Sequence, residues 1–232
     1  ETMTLDISEG EFFISDKTSK WYGQTMYDLY KKAHTPWEWH SEIFSYSSKK
    51  GIICFSSPFD ESAVDLLEHL NAPAYKIASF ECIDLPLIKY VAKTKKPLII
   101  STGMATISEI GEAVDIARTY GCKELALLKC TSTYPSSPIH SNLKTISHMR
   151  DLFDCEIGLS DHTLGIGVAI ASVAFGASII EKHFTISRKD GGVDSSFSLE
   201  PNEFANLVEE AKSAFLACGE IKYGPTSSEV NA

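Results

Sequence analysis

EIGLSDHTLGIGVAIASVAFGASIIEKHFT, residues Glu156–Thr185, holds the pattern on which the chain is built. Glu156–Ser160 reads as a short strand that gives way at once to Asp161-His162-Thr163. Leu164–Phe175, rich in Ala, Gly and Val, reads as a helix closed by Gly176-Ala177, and Ser178–Lys182 as a second strand ending on His183. Parallel strands joined by a crossover helix lie side by side, roughly 4.8 Å apart. Both histidines therefore fall at the carboxyl ends of neighbouring strands, close enough to share one ligand. In a (β/α) barrel that rim carries the chemistry. One buried histidine is most often a satisfied core residue; two at equivalent strand ends are a candidate metal pair. The uncharged run from Thr163 to Ile180 approaches the length of a membrane span. Gly165, Gly167 and Gly176 interrupt it, and its apolar residues are mostly small, so no membrane span is expected.

Outward from this unit the same alternation repeats. Ile52–Ser56, Ala74–Ser79, Pro97–Ser101 and Leu125–Cys130 read as strands. Glu61–His69, Asp84–Ala92, Ser108–Tyr120 and Leu143–Asp151 read as the helices that follow them, the third begun by the capping box Thr106-x-x-Glu109. Asn202–Cys218, introduced by Pro201, reads as the last helix. The strands are apolar nearly throughout, as strands covered on both faces must be. Before them, Glu1–Gly23 reads as irregular, and Thr25–Lys32 as a helix. A second helix runs to about Ser48, with Thr35 as N-cap, Pro36 at the first position and Glu38 closing the box. Trp21, Trp37 and Trp39 are expected to pack in the core. About six strand–helix units are present where a closed barrel needs eight. The expected fold is thus α/β, a (β/α)8 TIM barrel of the aldolase-like kind lacking its first two strands in this chain, as one partial domain over residues 1–232.

Composition narrows the function classes. The chain has 232 residues, 44% of them hydrophobic, enough for a full core in one α/β domain. A net charge of −10 without a Lys/Arg cluster argues against nucleic acid and anionic membrane as partners. No signal peptide opens the chain, and its six cysteines form no C-x-x-C pair. Reduced thiols in a cytoplasm are the expectation. No Gly-rich dinucleotide fingerprint follows any strand.

Polar residues gather where each strand ends: Ser56–Asp60, Lys76-x-x-Ser79-x-Glu81, Ser101-Thr102-Gly103, Thr131-Ser132-Thr133-Tyr134, Ser160-Asp161-His162 and Glu181-x-His183. Hydroxyls, backbone N–H groups at helix starts and a lysine make a cradle for phosphate or carboxylate. Any one Ser or Thr here is as readily a turn residue; six sets in register point to a site. Thr131 and Ser132 belong to the candidate substrate-binding set on this ground.

YKIASFE, ISTGMAT, KCTSTYP, GLSDHT and EKHFT, in this order, resemble the sialic acid synthase family, whose members condense phosphoenolpyruvate with an amino-sugar aldehyde to give a nonulosonic acid. Within it, TPWEWH, CFSSPFD, DGGVDSSFSLEP and YGPT are most similar to the pseudaminic acid synthases, which act on a 2,4-diacetamido-2,4,6-trideoxy amino-sugar in bacterial surface glycan biosynthesis. N-acetylneuraminate and legionaminic acid synthases are the alternatives within the family.

The resemblance implies a barrel with a divalent metal, usually Mn²⁺ with Mg²⁺ or Co²⁺ as substitutes, on the positions matching His162 and His183. It places phosphoenolpyruvate on Lys76, Ser79, Ser101 and Ser160, with Ser132 replacing a further contact. It turns Glu81, Tyr134 and Asp194 toward the sugar. Glu181, two residues before His183, shares its face and is a candidate to orient a metal-bound water. Asp190–Glu200 is expected to be a flexible loop over the sugar or a solvated connection. Two family features have no match: an opening strand with a Glu and an Asn-His pair, and a closing antifreeze-like domain whose arginine reaches the partner's site. The chain alone is therefore expected to be nearly inactive, and the full-length protein an active homodimer. A metal-dependent hydrolase barrel would show more metal ligands; a binding or scaffold domain would have no need of Lys76, His162 and His183.

Overall fold

The computed structural model describes residues 13–17, 19 and 21–230; much of the Glu1–Gly23 stretch expected to be irregular lies outside them. Five strands form one parallel sheet in sequential order. They are β1 (Tyr75–Ile77), β2 (Leu98–Ser101), β3 (Leu125–Cys130), β4 (Glu156–Asp161) and β5 (Ile180–Lys182). Helices alternate with them: α1 (Met26–Ala33), α2 (Trp37–Lys49) and α3 (Glu61–His69) precede β1. After it come α4 (Leu85–Ala92), α5 (Ile107–Thr119), α6 (Lys144–Phe153), α7 (Gly167–Ala174), α8 (Pro201–Cys218) and the short α9 (Ser227–Val230).

The helix starts follow from local chemistry. Asp60 and Asp84 accept from the backbone of Ala63 and Leu87, and Thr106 and Glu109 close a reciprocal capping box. Outward side chains of the strands (Tyr75, Ile77, Leu98, Ile100, Leu127, Ile157, Leu159) merge with the inner faces of α3–α6 in one core. Each such residue contributes about 1.5–3 kcal/mol by leaving water.

A flat sheet would hold β1 and β5 roughly 19 Å apart, four times the strand spacing. Instead, Nζ of Lys76 on β1 lies 3.5 Å from Oε2 of Glu181 on β5. The sheet is therefore curled until its edges face each other, with Lys76, Ser101, Cys130, Ser160 and Glu181 on the concave side. This is an α/β half-barrel, and that curvature builds the site.

Several expectations need correction. Ile52–Ser56 is not a named strand: it contributes one bridge, Ser56 to Tyr75, and leaves Ile52 and Ile53 63% and 77% exposed. Its one bridge among the described residues is to β1, and with Ile52 and Ile53 exposed no buried apolar face holds it in a longer ladder. Helix α2 begins at Trp37, and Pro36 with ψ of 135° is its N-cap, so Thr35 stands one residue too early to cap it. Trp37 and Trp39 are exposed, because α2 turns His40 and Phe44 inward instead. Helix α7 starts three residues late, after a turn in which Gly165 takes φ of +72°. The 190–200 segment is anchored in its second half, while Asp190, Gly191 and Gly192 stay exposed as a solvated connection. Two 3₁₀ turns and a bridge from Phe184 to Leu199 pack it down, with Phe197 and Leu199 buried. No described helix is long and apolar enough to cross a membrane.

Candidate active site

The site grows out of strand register. Ser160 pairs with Glu181 and Asp161 with Lys182, so the next residues on each strand, His162 and His183, emerge side by side. Their ring centroids are 5.1 Å apart. His162 is fixed twice: its Nδ1 lies 3.0 Å from the carbonyl of Thr131, and its own carbonyl accepts from Ser136 N at 2.9 Å. That first contact assigns the proton to Nδ1 and leaves the Nε2 lone pair available. Nδ1 of His183 lies 3.6 Å from Asp194 Oδ2. Tyr134 leans on both rings, at 4.4 Å from His162 and 6.2 Å from His183, and Phe197 backs His183 at 5.0 Å.

Opposite the histidines lie Lys76 and the cleft serines. Ser160 Oγ donates to Glu181 Oε1 at 2.7 Å, while the other oxygen of Glu181 faces Lys76. Gly103 N donates to Ser79 Oγ at 3.2 Å. Ser101 Oγ is buried without a hydrogen-bond partner, an arrangement that native structures rarely tolerate outside a binding site. Cys130 lies beneath, its Sγ 3.7 Å from Ser132 Oγ and 3.8 Å from His162 Nδ1.

The local field differs between the two rings. Burial pulls His162 down, but Cys130, the Thr131 carbonyl and Glu181 together carry it above its ordinary value. At His183 burial dominates over Asp194, and with His162 and Lys182 it lowers the ring's basicity. Burial would raise the Cys130 thiol, yet hydrogen bonds with His162, Ser79 and Ser132 bring it down to about 7.

A cleft of about 590 Å³ opens over this floor. Lys76, Ser79, Glu81, Ser101, Ser132, Tyr134, Ser160, His162, Glu181, His183 and Asp194 all line it. Thr131 does not: its hydroxyl accepts from Lys129 Nζ at 2.8 Å and donates to the His140 carbonyl, on the far side of the strand. Alternation along β3 sends Ser132 inward and Thr131 out, and what Thr131 offers the site is its backbone carbonyl, through His162. Two features were missed in the sequence. The first is an apolar wall of Trp21, Met26, Leu29, Phe59, Phe80 and Val193; the exposed side of α1 gave no hint that it faces a cleft. The second is Gly103, where a Cβ would come within 2.1 Å of Ser132 Oγ and 2.8 Å of Ser79 Oγ. Its place just past a strand end, behind Ser101-Thr102, was the available signal.

The comparisons with known proteins now bear on a described site. A family model described as the NeuB family matches residues 1–223. The chain belongs to the NeuB family. It is 44% identical over 218 residues to the pseudaminic acid synthase of Helicobacter pylori, covering 94% of this chain and 64% of that protein. It is 40% identical over 195 residues to the N,N'-diacetyllegionaminic acid synthase of Campylobacter jejuni, covering 83% of this chain and 58% of that protein. The solved N-acetylneuraminic acid synthetase of Leptospira borgpetersenii superposes with a TM-score of 0.83 at 35% identity, over 88% of this chain and 72% of that one. The chain thus spans just under two thirds of the length of the pseudaminic acid synthases it matches. The family resemblance carried by the five strand-end motifs is borne out.

Proposed function

We propose that the chain is the larger part of the catalytic barrel of a nonulosonic acid synthase. The enzyme would condense phosphoenolpyruvate with an open-chain 2,4-diacetamido-2,4,6-trideoxy amino-sugar, giving pseudaminic acid and phosphate. The curled sheet, with Ile52–Ser56 beside it, is read as most of a (β/α)8 barrel whose first two strands lie outside this chain. The full-length protein acts as a homodimer in this reading. The observation that carries the proposal is the convergence on one cleft of ten residues that the family resemblance assigns to anion, sugar and metal, together with Glu181.

The residues suit those tasks. Lys76 and the hydroxyls of Ser79, Ser101, Ser132 and Ser160 offer one cation and four hydrogen-bonding groups to a phosphate and a carboxylate. Ser101 Oγ, which has no partner among the described residues, gains one there. His162 and His183 fit a divalent ion, Mn²⁺ or in its place Mg²⁺ or Co²⁺, because His162 already spends Nδ1 on Thr131 and keeps Nε2 for a ligand. The described residues hold no group of three or more His, Cys, Asp or Glu side chains able to bind a metal, so water and substrate would complete the set. When bound, the ion supplies Lewis-acid stabilisation of the oxygen that becomes negative on the sugar aldehyde.

The remaining work belongs to the chain. Lys76 and the serines hold phosphoenolpyruvate so that its C3 meets the aldehyde carbon, turning an encounter into a positioned reaction. The C3–C1 bond forms with the electrons of the enol double bond and leaves a cation at C2. Water adds at C2 and loses a proton, and the tetrahedral carbon then expels phosphate. Glu181, bonded to Ser160, is the carboxylate nearest the phosphoenolpyruvate cradle and would take that proton or orient that water. Tyr134, Glu81 and Asp194 grip the sugar. The apolar wall favours a trideoxy sugar with a C6 methyl and two acetyl groups over N-acetylmannosamine, which carries a hydroxymethyl there.

The test is a sugar panel with the full-length protein, Mn²⁺ and phosphoenolpyruvate, following phosphate release and product by NMR. Highest kcat/KM with the diacetamido-trideoxy sugar of the pseudaminic series is expected. Preference for N-acetylmannosamine or the legionaminic precursor would move the protein to those branches, and no phosphate from any sugar would overturn the enzyme reading.

A further inference from the structure

We propose that Asp161 and Lys182, whose buried side chains meet behind the cleft floor that Lys182 itself helps to line, are positioning residues that set the spacing of His162 and His183. The inference rests on reading the two histidines as a metal pair.

Alternation along β4 and β5 puts Ser160, His162, Glu181 and His183 inside and Asp161 and Lys182 outside. There the two charges meet, Nζ to Oδ2 at 2.6 Å, with side chains 1% and 2% exposed. A fully buried ion pair is no strong source of stability, since desolvation offsets the attraction. Its hydrogen bonds point to a role in geometry. Asp161 Oδ1 accepts from Thr163 N at 2.9 Å, and Lys182 Nζ donates to the Thr163 carbonyl. Thr163, the residue after His162, is thereby tied to Asp161 and to Lys182, and that lysine is the residue before His183. Asp161 in turn is the residue before His162. With Ser136 N on the His162 carbonyl and Thr131 on its ring, the carbonyl and Nδ1 of His162 are both committed and Nε2 is left for a ligand, while Thr163 Oγ1 beside it is buried without a partner among the described residues. The pair therefore couples the two histidine-bearing strand ends without touching a ligand, as residues behind metal ligands do elsewhere.

The experiment uses full-length protein with ¹⁵N-labelled histidine, in the metal-free state, and Mn²⁺ titration followed by electron paramagnetic resonance. Lys182→Met should abolish the single Nδ1–H tautomer of His162, shift the ring signals of both histidines, and weaken Mn²⁺ binding about 10- to 100-fold. The double variant Asp161→Asn/Lys182→Met removes the unpaired buried charge. It should recover thermal stability yet keep the disturbed ring signals and weak binding. A purely structural pair predicts that stability, ring signals and affinity all return together, and that result overturns the proposal. Unchanged ring signals in a folded Lys182→Met overturn it as well. If Lys182→Met does not fold, Asp161→Asn, nearly isosteric, carries the same comparison. Wild-type protein that binds no Mn²⁺ would refute the metal reading, and the metal-free ring signals would still decide whether the pair orders the histidines.

Discussion

Ile52–Ser56 and Ile157–Ser160 have similar sequences, an apolar run ending in serine, and opposite fates. The second lies between β3 and β5, paired on both sides, with every residue buried. The first meets β1 through one bridge and leaves Ile53 77% exposed. Local propensity is the same; neighbours decide. What the paired segment gains is more than order, because its register sets Ser160 against Glu181 and His162 beside His183. β4, bonded on both sides, fixes Ser160 and His162, and its ladder carries Glu181 and His183 on the edge strand β5 into the same site.

Mutations can sharpen that contrast or break it. The largest effect belongs to the buried pair behind the histidines: Lys182→Met should cost about 3–5 kcal/mol in urea denaturation, because it strands the Asp161 charge. At the other segment, Ile53→Ser should stay within about 0.5 kcal/mol, and a loss of several would show Ile53 to be covered in the full-length protein.

Gly158→Ala comes next. Its Cβ would meet the Ile179 carbonyl at 2.4 Å and Leu128 at 2.6 Å, so about 1–3 kcal/mol of overpacking is expected from the same denaturation curves. In the cleft, Gly103→Ala should displace Ser79 and Ser132, weakening phosphoenolpyruvate binding about tenfold, about 1.4 kcal/mol by calorimetry, with the fold intact. Unaltered affinity would remove those two serines from the anion cradle.

The smallest effect is a pH dependence at β1. Burial opposes ionisation of Glu68, but hydrogen bonds from Lys96 and Tyr75 hold its pKa below the usual value of 4.5. Its contribution is present above that value and fades as pH falls through the depressed one. Tyr75 is raised by burial and by Glu68, so its contribution is present below pH 10 and fades in strong alkali. Between those limits Glu68→Gln should lower the melting temperature by a few degrees, and the difference from wild type should close as pH drops below about 4.

Much of this was legible in the residues. Alternating strands and helices follow from apolar periodicity and from caps such as Thr106–Glu109, and eleven of the twelve nominated site residues line the cleft, most of them because they sit at or just past a strand end, with Asp194 brought in by the packed 190–200 segment. What escaped depends on partners that periodicity does not name. Ile52–Ser56 looks like a strand until one asks what pairs with it. Thr131 differs from Ser132 only by a one-residue alternation. Trp37 and Trp39 were expected inside because they are large and apolar, yet the face of α2 that turns inward carries His40 and Phe44. The Asp161–Lys182 contact joins motifs twenty residues apart and becomes visible only through the β4–β5 register.

The central claim is that the two curled edges of the sheet make one site, with the metal on one side and phosphoenolpyruvate on the other. Calorimetric titration of the full-length protein with Mn²⁺, with and without phosphoenolpyruvate, alongside His162→Ala, tests it most directly. The account predicts Mn²⁺ binding that is lost in the variant and phosphoenolpyruvate binding strengthened by the metal. Mn²⁺ bound equally well by folded His162→Ala protein would contradict it.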